Sequence, residues 1–489
     1  MCCSGHWALD EQYVPCSQAI LQPTTSNVPS HTPTATPPTS RAPCASFLWR
    51  VPTQALASTW LFYEAQISGT KPSWSRADFR GDSHLDDLVP GGWYDAGDFL
   101  KVNLPMGISV SFLAWSVLEF PTAFQLTAST NPALDNLRLA ATYLMDCHVG
   151  ERQYVGQVGD PAADHQFWGR PEEQNVSRPA YVWLDSMPAS DLLGAVSAAL
   201  ASSHLLFKES DAEFATALLS HARELYAWAK ADTGLCGASF PAATKVYASS
   251  RYLDKLMYAA AWLFGATGEA AYAADAHAFW NASGGYGDVF PSWDSTHVPA
   301  VNLLLQLASQ GAAVPGQAEY ERWYTSTFQA AWLDPKVSVK LTRTPLGLVY
   351  PTWSTWGILS YSTNAAFMMA LRASYSANDR ESVLAFVRNQ LNYALGSTGR
   401  SFVVGLGVDP PRQPHHAAAS CPDLPAECGW AHFSAAGANP QVLTGALVGG
   451  PPSGDGSYVD LRSDYKTNEV AITYNAGFAG ALAGAITLA

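Results

Sequence analysis

Apolar residues recur along this chain at helical spacing far more often than in alternation. Phe214, Leu218, Ala222, Leu225 and Ala229 fall three or four apart behind Ser210-x-x-Glu213, which has the spacing of a capping box. Asn378-x-x-Glu381 opens a second such helix, with Val383, Val387, Leu391 and Ala394 on one face and Gly396 placed to stop it. Residues 191–207, 252–266, 360–373 and 469–486 are Ala- and Leu-rich runs of the same kind, and alternating stretches are few and short. The pattern predicts an all-α fold. Between the helices lie long segments dense in Gly, Pro, Trp, Asp and His: 78–105, 154–188, 284–300 and 396–465. Loops of that length on a helical scaffold are where binding and catalytic groups collect.

Composition adds the domain layout. Residues 21–43 are rich in Pro, Thr and Ser and lack any aromatic residue, as an extended linker does. They separate a cysteine-bearing stub, residues 1–20, from residues 44–489, whose texture is uniform enough to read as one large domain. The 489 residues are 48% apolar and only 14% charged, so the chain can bury a substantial core. The net charge of −14 excludes the basic stripe that a nucleic-acid binder needs, and argues against an anionic membrane surface. No stretch approaches the ~20 uninterrupted apolar residues of a membrane span. The supply of 17 Trp, 21 Tyr and 20 Phe suits stacking against flat, neutral ligands as well as core packing.

The first residues, MCCSGHWALDEQYVPCSQ, lack the basic and apolar regions of a signal peptide. Of the eight cysteines, Cys2, Cys3 and Cys16 crowd the stub, while Cys421 and Cys428 are spaced to close a small ring. No CxxC pairs with a second CxxC or with spaced histidines, so the spacing gives no zinc site. With the sequons at Asn175 and Asn281, these features lean towards a secreted protein.

Four clusters carry candidate chemistry. In Gly91-Gly92-Trp93-Tyr94-Asp95-Ala96-Gly97-Asp98, two carboxylates three apart on a turn could enter one cleft, with Gly92 and Gly97 letting backbone approach a ligand. Asp also caps ordinary turns, and spacing alone does not choose between the two readings. Near the C-terminus, Asp460, Tyr465 and Glu469 precede an Ala-rich run. A Glu there serves equally as a helix-dipole partner or as a desolvated general acid with a raised pKa. Pro414-His415-His416 suits hydrogen bonding in a polar cleft better than metal binding, because adjacent side chains point apart. Gln157 to Glu172, with His165 and Trp168, mixes aromatic, amide and charged groups as a sugar subsite would. Phosphate-loop, GxSxG and HExxH motifs are missing, and two distant carboxylates among Trp, Tyr, Asn and His fit glycoside hydrolysis best.

In this order, the clusters resemble glycoside hydrolase family 9, the family of many endoglucanases, over nearly all of residues 48–489. The likeness starts at Ala55-Leu56, Phe62-Tyr63-Glu64-Ala65-Gln66 and Arg80-Gly81-Asp82-Ser83, and continues through residues 91–98, 157–172, Pro188-Ala189-Ser190-Asp191, Trp293-Asp294 and Trp356-Gly357. It closes with residues 401–416 and 458–476. The resemblance implies an (α/α)6 barrel of twelve helices with long active-site loops, and hydrolysis of β-1,4-glucan with inversion at the anomeric carbon. It implies Glu469 as general acid, Asp98 as general base with Asp95 holding the same water, Asp460 as support and His415 as a sugar ligand. The acid and base should stand roughly 6.5–9.5 Å apart. His165, Trp168, Trp356 and Tyr465 are further sugar-contact candidates. Catalysis should need no cofactor, structural calcium is compatible with the family, and a monomer is expected.

Two departures stand out. The family signature continues His-His-Arg where this chain has Ala417, and it carries Asn, Lys or Arg where this chain has Asp409. Arg400 and Arg412 are the candidates to stand in for the lost guanidinium. An endo-acting cellulase is the leading expectation. An exo-acting β-glucan or glucosaminide hydrolase of the same fold, or a catalytically weakened carbohydrate-binding relative, are the alternatives. Trp7, Tyr13 and the stub cysteines resemble the end of a small cellulose-binding module.

Overall fold

The computed structural model describes residues 44–489 apart from 286–287 and 339, so the stub and linker lie outside the described residues. Twelve long helices dominate what is described. They are α1 (Cys44–Ala65), α2 (Asn103–Glu119), α3 (Thr130–Asp146), α4 (Ser190–Phe207), α5 (Ala212–Ala231) and α6 (Leu253–Thr267). After them come α7 (Ala270–Ala282), α8 (His297–Ser309), α9 (residues 317–333, with a π-helical turn at Tyr324–Gln329), α10 (Ile358–Tyr375), α11 (Arg380–Ala394) and α12 (Ile472–Thr487).

Helices α2, α4, α6, α8, α10 and α12 each pack on the next, and α12 closes back on α2. The odd-numbered helices lie outside this ring, α5 against α4, α7 against α6 and α11 against α10. The result is an (α/α)6 barrel. Residue choice explains the two layers. Inner helix α12, ITYNAGFAGALAGAIT, is buried almost all round and needs no polar face. Outer helix α3 buries only Ala133, Leu137, Ala140, Ala141 and Leu144 among its apolar residues at three-to-four spacing, plus the ring of Tyr143. Helix α4 has the length and mean hydropathy of a helix that could cross a bilayer, although Asp191, His204 and several serines interrupt its apolar run; it belongs to the inner ring and is 83% buried.

The helix boundaries correct the sequence in three places. Asp211 rather than Ser210 caps α5, its carboxylate accepting the Phe214 amide at 3.1 Å, while the Ser210 hydroxyl donates back to Phe207. The charged oxygen one residue nearer the positive helix end wins. At α11 the residue before the helix is Asp379, not Asn378. Gly396 ends α11 as expected, at φ 98°. Finally, α12 begins at Ile472 rather than at 469. Glu469 and Val470 stay extended because their backbone bridges to His415 and Val448.

A small sheet comprises β1 (Lys101–Val102), β2 (His148–Gly150), β3 (Gln153–Val158) and β4 (Ala180–Trp183), with β3 antiparallel to the other three. It ties the segment entering α2 to the segment entering α4. Every sequence-predicted site residue lies on a segment that enters an inner helix: Asp95 and Asp98 before α2, His165 and Trp168 before α4, Trp356 before α10, and His415, Asp460, Tyr465 and Glu469 before α12.

Candidate active site

The turn bearing Asp95 and Asp98 is closed by the Asp95 amide donating to the Leu100 carbonyl at 2.9 Å. Gln66 on the α1 exit donates to the carbonyls of Tyr94 and Ala96. His416 in turn donates from Nε2 to the Gln66 side-chain oxygen at 2.7 Å, because its Nδ1 accepts the Ala419 amide. Burial pushes the His416 pKa down to about 3, so it is a neutral brace for the turn. Gly92 and Gly97 do not leave room for a ligand, as the sequence suggested. A Cβ on Gly92 would lie 2.5 Å from the Tyr143 ring, and one on Gly97 would lie 2.1 Å from the His415 carbonyl oxygen. Their smallness lets protein segments meet.

Those contacts knit the separate motifs together. The Ala417 amide donates to the Gly97 carbonyl at 2.8 Å, the His415 amide to the Asn468 carbonyl at 2.8 Å, and the Ile472 amide to the Asp95 carbonyl at 2.9 Å. The acid, histidine and Asp-turn segments are thereby held by backbone. Asp460 accepts the amides of Arg412 and Gln413 and the Asn468 side-chain amide, fixing the chain that leads into His415.

Asp98 is half-buried and is met by His165 Nε2 at 2.9 Å. That hydrogen bond to Asp98 raises the His165 pKa. Asp95 is buried, with one carboxyl oxygen accepting the Tyr247 hydroxyl at 2.6 Å and the other without a partner. Burial and the neighbouring Asp98 charge push it up to about 8. Asp164, next to His165, accepts the Phe99 amide and the Gln174 side chain; burial, with Asp98 adding, lifts it to about 6. Glu469 is partly reached by solvent, but protein surrounds its carboxyl. That desolvation, followed by the charges of Asp98 and Asp95, raises its pKa well above the usual carboxylate range. Among the described residues, Trp356 Nε1 donates to its carboxyl at 3.2 Å.

Aromatic rings flank these groups. Trp356 and Tyr465 are about half exposed and meet edge to face with centroids 5.5 Å apart. Trp168 is only 7% exposed, donates to Ser420, and lies 5.1 Å from the His415 ring and 5.9 Å from the exposed Trp430. It supports the cleft wall more than it lines it. His415 donates from Nδ1 to the Arg462 carbonyl at 2.6 Å, and burial lowers its pKa. Its Nε2 therefore carries the ring's acceptor lone pair. Tyr247, Asp164 and Trp430 were missed as site residues; Asp164 stood beside His165 in a string already singled out, whereas the other two sit in segments without a motif.

Residues 53–482 match the profile of glycosyl hydrolase family 9. The chain belongs to glycosyl hydrolase family 9. It is 35% identical to Endoglucanase B of Cellulomonas fimi over 90% of this chain and 43% of that one, and 35% identical to Endoglucanase A of Bacillus pumilus over 89% and 66%. The chain therefore spans less than two thirds of the length of these relatives. Among solved structures, the endoglucanase of the termite Nasutitermes takasagoensis superposes with a TM-score of 0.83 at 38% identity, covering 89% of this chain and 99% of that one. The cellulase Cel9M of C. cellulolyticum in complex with cellobiose superposes with a TM-score of 0.79 at 33% identity, covering 89% and 98%.

Against the family 9 pattern, Ala417 is buried in an apolar cluster with Tyr94, Phe99 and Trp168. Arg400 does not replace the lost guanidinium there, since it is paired with Asp409, and Arg412 offers its backbone amide to Asp460. Cys421 and Cys428 are bonded, as their spacing allowed.

Calcium, which family membership makes a candidate, fits neither of two acid-rich places near the cleft. Asp98, Asp164 and His165 bring three ligand atoms within 4.8 Å of one another, too few oxygens for an ion that takes six to eight. Behind the Tyr247 loop, the carbonyls of Arg251 and Asp294 and the carboxylates of Asp254 and Asp294 surround the fully buried Lys255 ammonium. That cage already holds a cation of its own.

Proposed function

We propose that this chain is a secreted endo-β-1,4-glucanase that cleaves internal bonds of cellulose with inversion at the anomeric carbon. The observation that carries the reading is the contrast between its two carboxyl environments. Glu469 is surrounded by protein and faces the Asp98 carboxylate, so it keeps its proton and can give it to the leaving glycosidic oxygen. Asp98 is partly in solvent and hydrogen-bonded to His165, and so can take a proton from water. Asp95, protonated below about pH 8, would hold that water by hydrogen bonding without competing for its proton.

The flanks match a glucan. The Nε2 of His415 accepts a sugar hydroxyl, and the exposed rings of Trp356, Tyr465 and Trp430 offer faces for pyranose stacking. The endo preference rests on the relatives' names, and the cellobiose bound by Cel9M supports the same substrate class. The Cys421–Cys428 bond and the exposed sequon residues Asn175 and Asn281 support action outside the cytoplasm. Residues 21–43 would then link the barrel to the cysteine-bearing stub of residues 1–20.

Viscometry of carboxymethylcellulose against reducing-end release tests this directly. Internal cutting makes viscosity fall well before reducing ends accumulate, and Glu469→Gln abolishes both. Reducing ends rising while viscosity holds would refute endo action, and no hydrolysis by the wild type would refute the whole reading.

A further inference from the structure

Away from the cleft, β2 and the outer helix α5 bring two histidines together. His148 and His221 place their Nδ1 atoms 2.9 Å apart, with rings nearly perpendicular and centroids 5.0 Å apart. Glu224 lies one helical turn beyond His221 on α5, and its Oε2 is 4.0 Å from His148 Nδ1. Its other oxygen accepts the Ser220 hydroxyl at 3.0 Å. Asp146, at the end of α3, is exposed and interacts electrostatically with His221. None of these groups has a part in the chemistry described above.

We propose that His148, His221 and Glu224 form a binding site for a divalent transition-metal ion of the zinc class, which clamps β2 to α5. Two neutral imidazoles facing each other through Nδ1 can share only one proton; a metal ion uses both lone pairs at once. Two nitrogens on one tetrahedral zinc lie about 3.3 Å apart, given bonds of about 2.0–2.1 Å. The observed separation needs to widen by less than half an ångström. His221 and Glu224 are three residues apart and so share a helix face, from which the exposed Glu224 side chain can swing towards the two imidazoles. Nitrogen donors with a carboxylate favour zinc, copper or nickel over calcium or magnesium. Glu224 is 60% exposed in its side chain and leaves the ion a way in, while Asp146 or water can complete the shell. Sequence spacing could not reveal this site, because its ligands come from segments about 70 residues apart.

The consequence is structural. β2 pairs with β3, and β3 leads into the segment carrying Asp164 and His165. An ion here would hold the sheet to the barrel's outer layer without touching substrate.

Calorimetric titration of the full chain with zinc chloride tests the proposal, together with cobalt(II) absorbance and thermal melting. One equivalent should bind, raise the melting temperature and leave the turnover of soluble substrate unchanged. His221→Gln should weaken binding at least tenfold. Glu224→Gln, an exposed change that spares the fold, should weaken it several-fold with an unaltered melting temperature in the absence of metal. Absence of binding would overturn the proposal, as would binding that survives both variants. Binding that inhibits turnover and disappears in Asp164→Asn would place the ion in the cleft and refute it equally.

Discussion

Replacing Asp95 with Asn isolates the most unusual charge in the structure. In the folded protein, burial and Asp98 hold the Asp95 proton to about pH 8, against 3.8 ordinarily. Between those values the unfolded chain has released a proton that the folded chain keeps. Stability must then fall as pH rises, beginning near pH 4 and levelling off above about pH 8. Each pH unit inside the window costs about 1.4 kcal/mol, so the span from pH 5 to pH 8 amounts to roughly 3–4 kcal/mol. Asn keeps the shape and can still accept the Tyr247 hydroxyl, but has no proton to lose. Urea unfolding of wild type and Asp95→Asn, followed by Trp fluorescence at pH 5, 6.5 and 8, measures the difference. Glu469 titrates in the same direction in both proteins; losing the Asp95 charge lowers its pKa in the variant, which widens the difference in the same sense. The wild type should lose several kcal/mol more than the variant between pH 5 and pH 8. Parallel curves would refute the reasoning. If Asp95 also holds the water, kcat of the variant falls by about a hundredfold at its optimum.

Further outcomes follow from single contacts. Gly97→Ala puts a methyl 2.1 Å from a backbone oxygen of His415, so it should cost about 1–3 kcal/mol and lower kcat at least tenfold; normal melting and kinetics would contradict the contact. Lys255→Met strips the cation from its oxygen cage and should destabilise by about 3–5 kcal/mol in denaturant titration, whereas a chelator should leave wild-type turnover unchanged at moderate temperature. Trp356→Phe keeps an aromatic face but removes the donor to Glu469, which favours the ionised carboxylate. The acid's pKa should rise and the alkaline limb of kcat move to higher pH; a limb that stays or moves down would exclude that hydrogen bond.

Much of the barrel was legible, because an inner helix such as α12 has no polar face to disguise and outer helices show strict three-to-four spacing. The motif strings also singled out Asp98 and Glu469, which the fold brings within electrostatic reach of each other. What escaped the sequence depends on partners distant in the chain. Tyr247 reaches Asp95 across 152 positions, and no pattern within its own segment announces that bond. The start of α12 was misplaced because the backbone of Glu469 is occupied by Gly449 and bridged to His415. Gly92 and Gly97 looked like ligand-facing positions until Tyr143 and His415 were found in the space a Cβ would fill. Trp168 looked like a sugar platform, but Ser420 and neighbouring rings bury it.

The central claim is that Glu469 donates a proton while water, activated at Asp98, attacks from the opposite face. Proton NMR of freshly cleaved cellohexaose, read at the anomeric signals before mutarotation, tests it most directly. The account predicts new reducing ends in the α configuration. New β ends would contradict the assigned roles, and an uncut substrate would contradict hydrolysis itself.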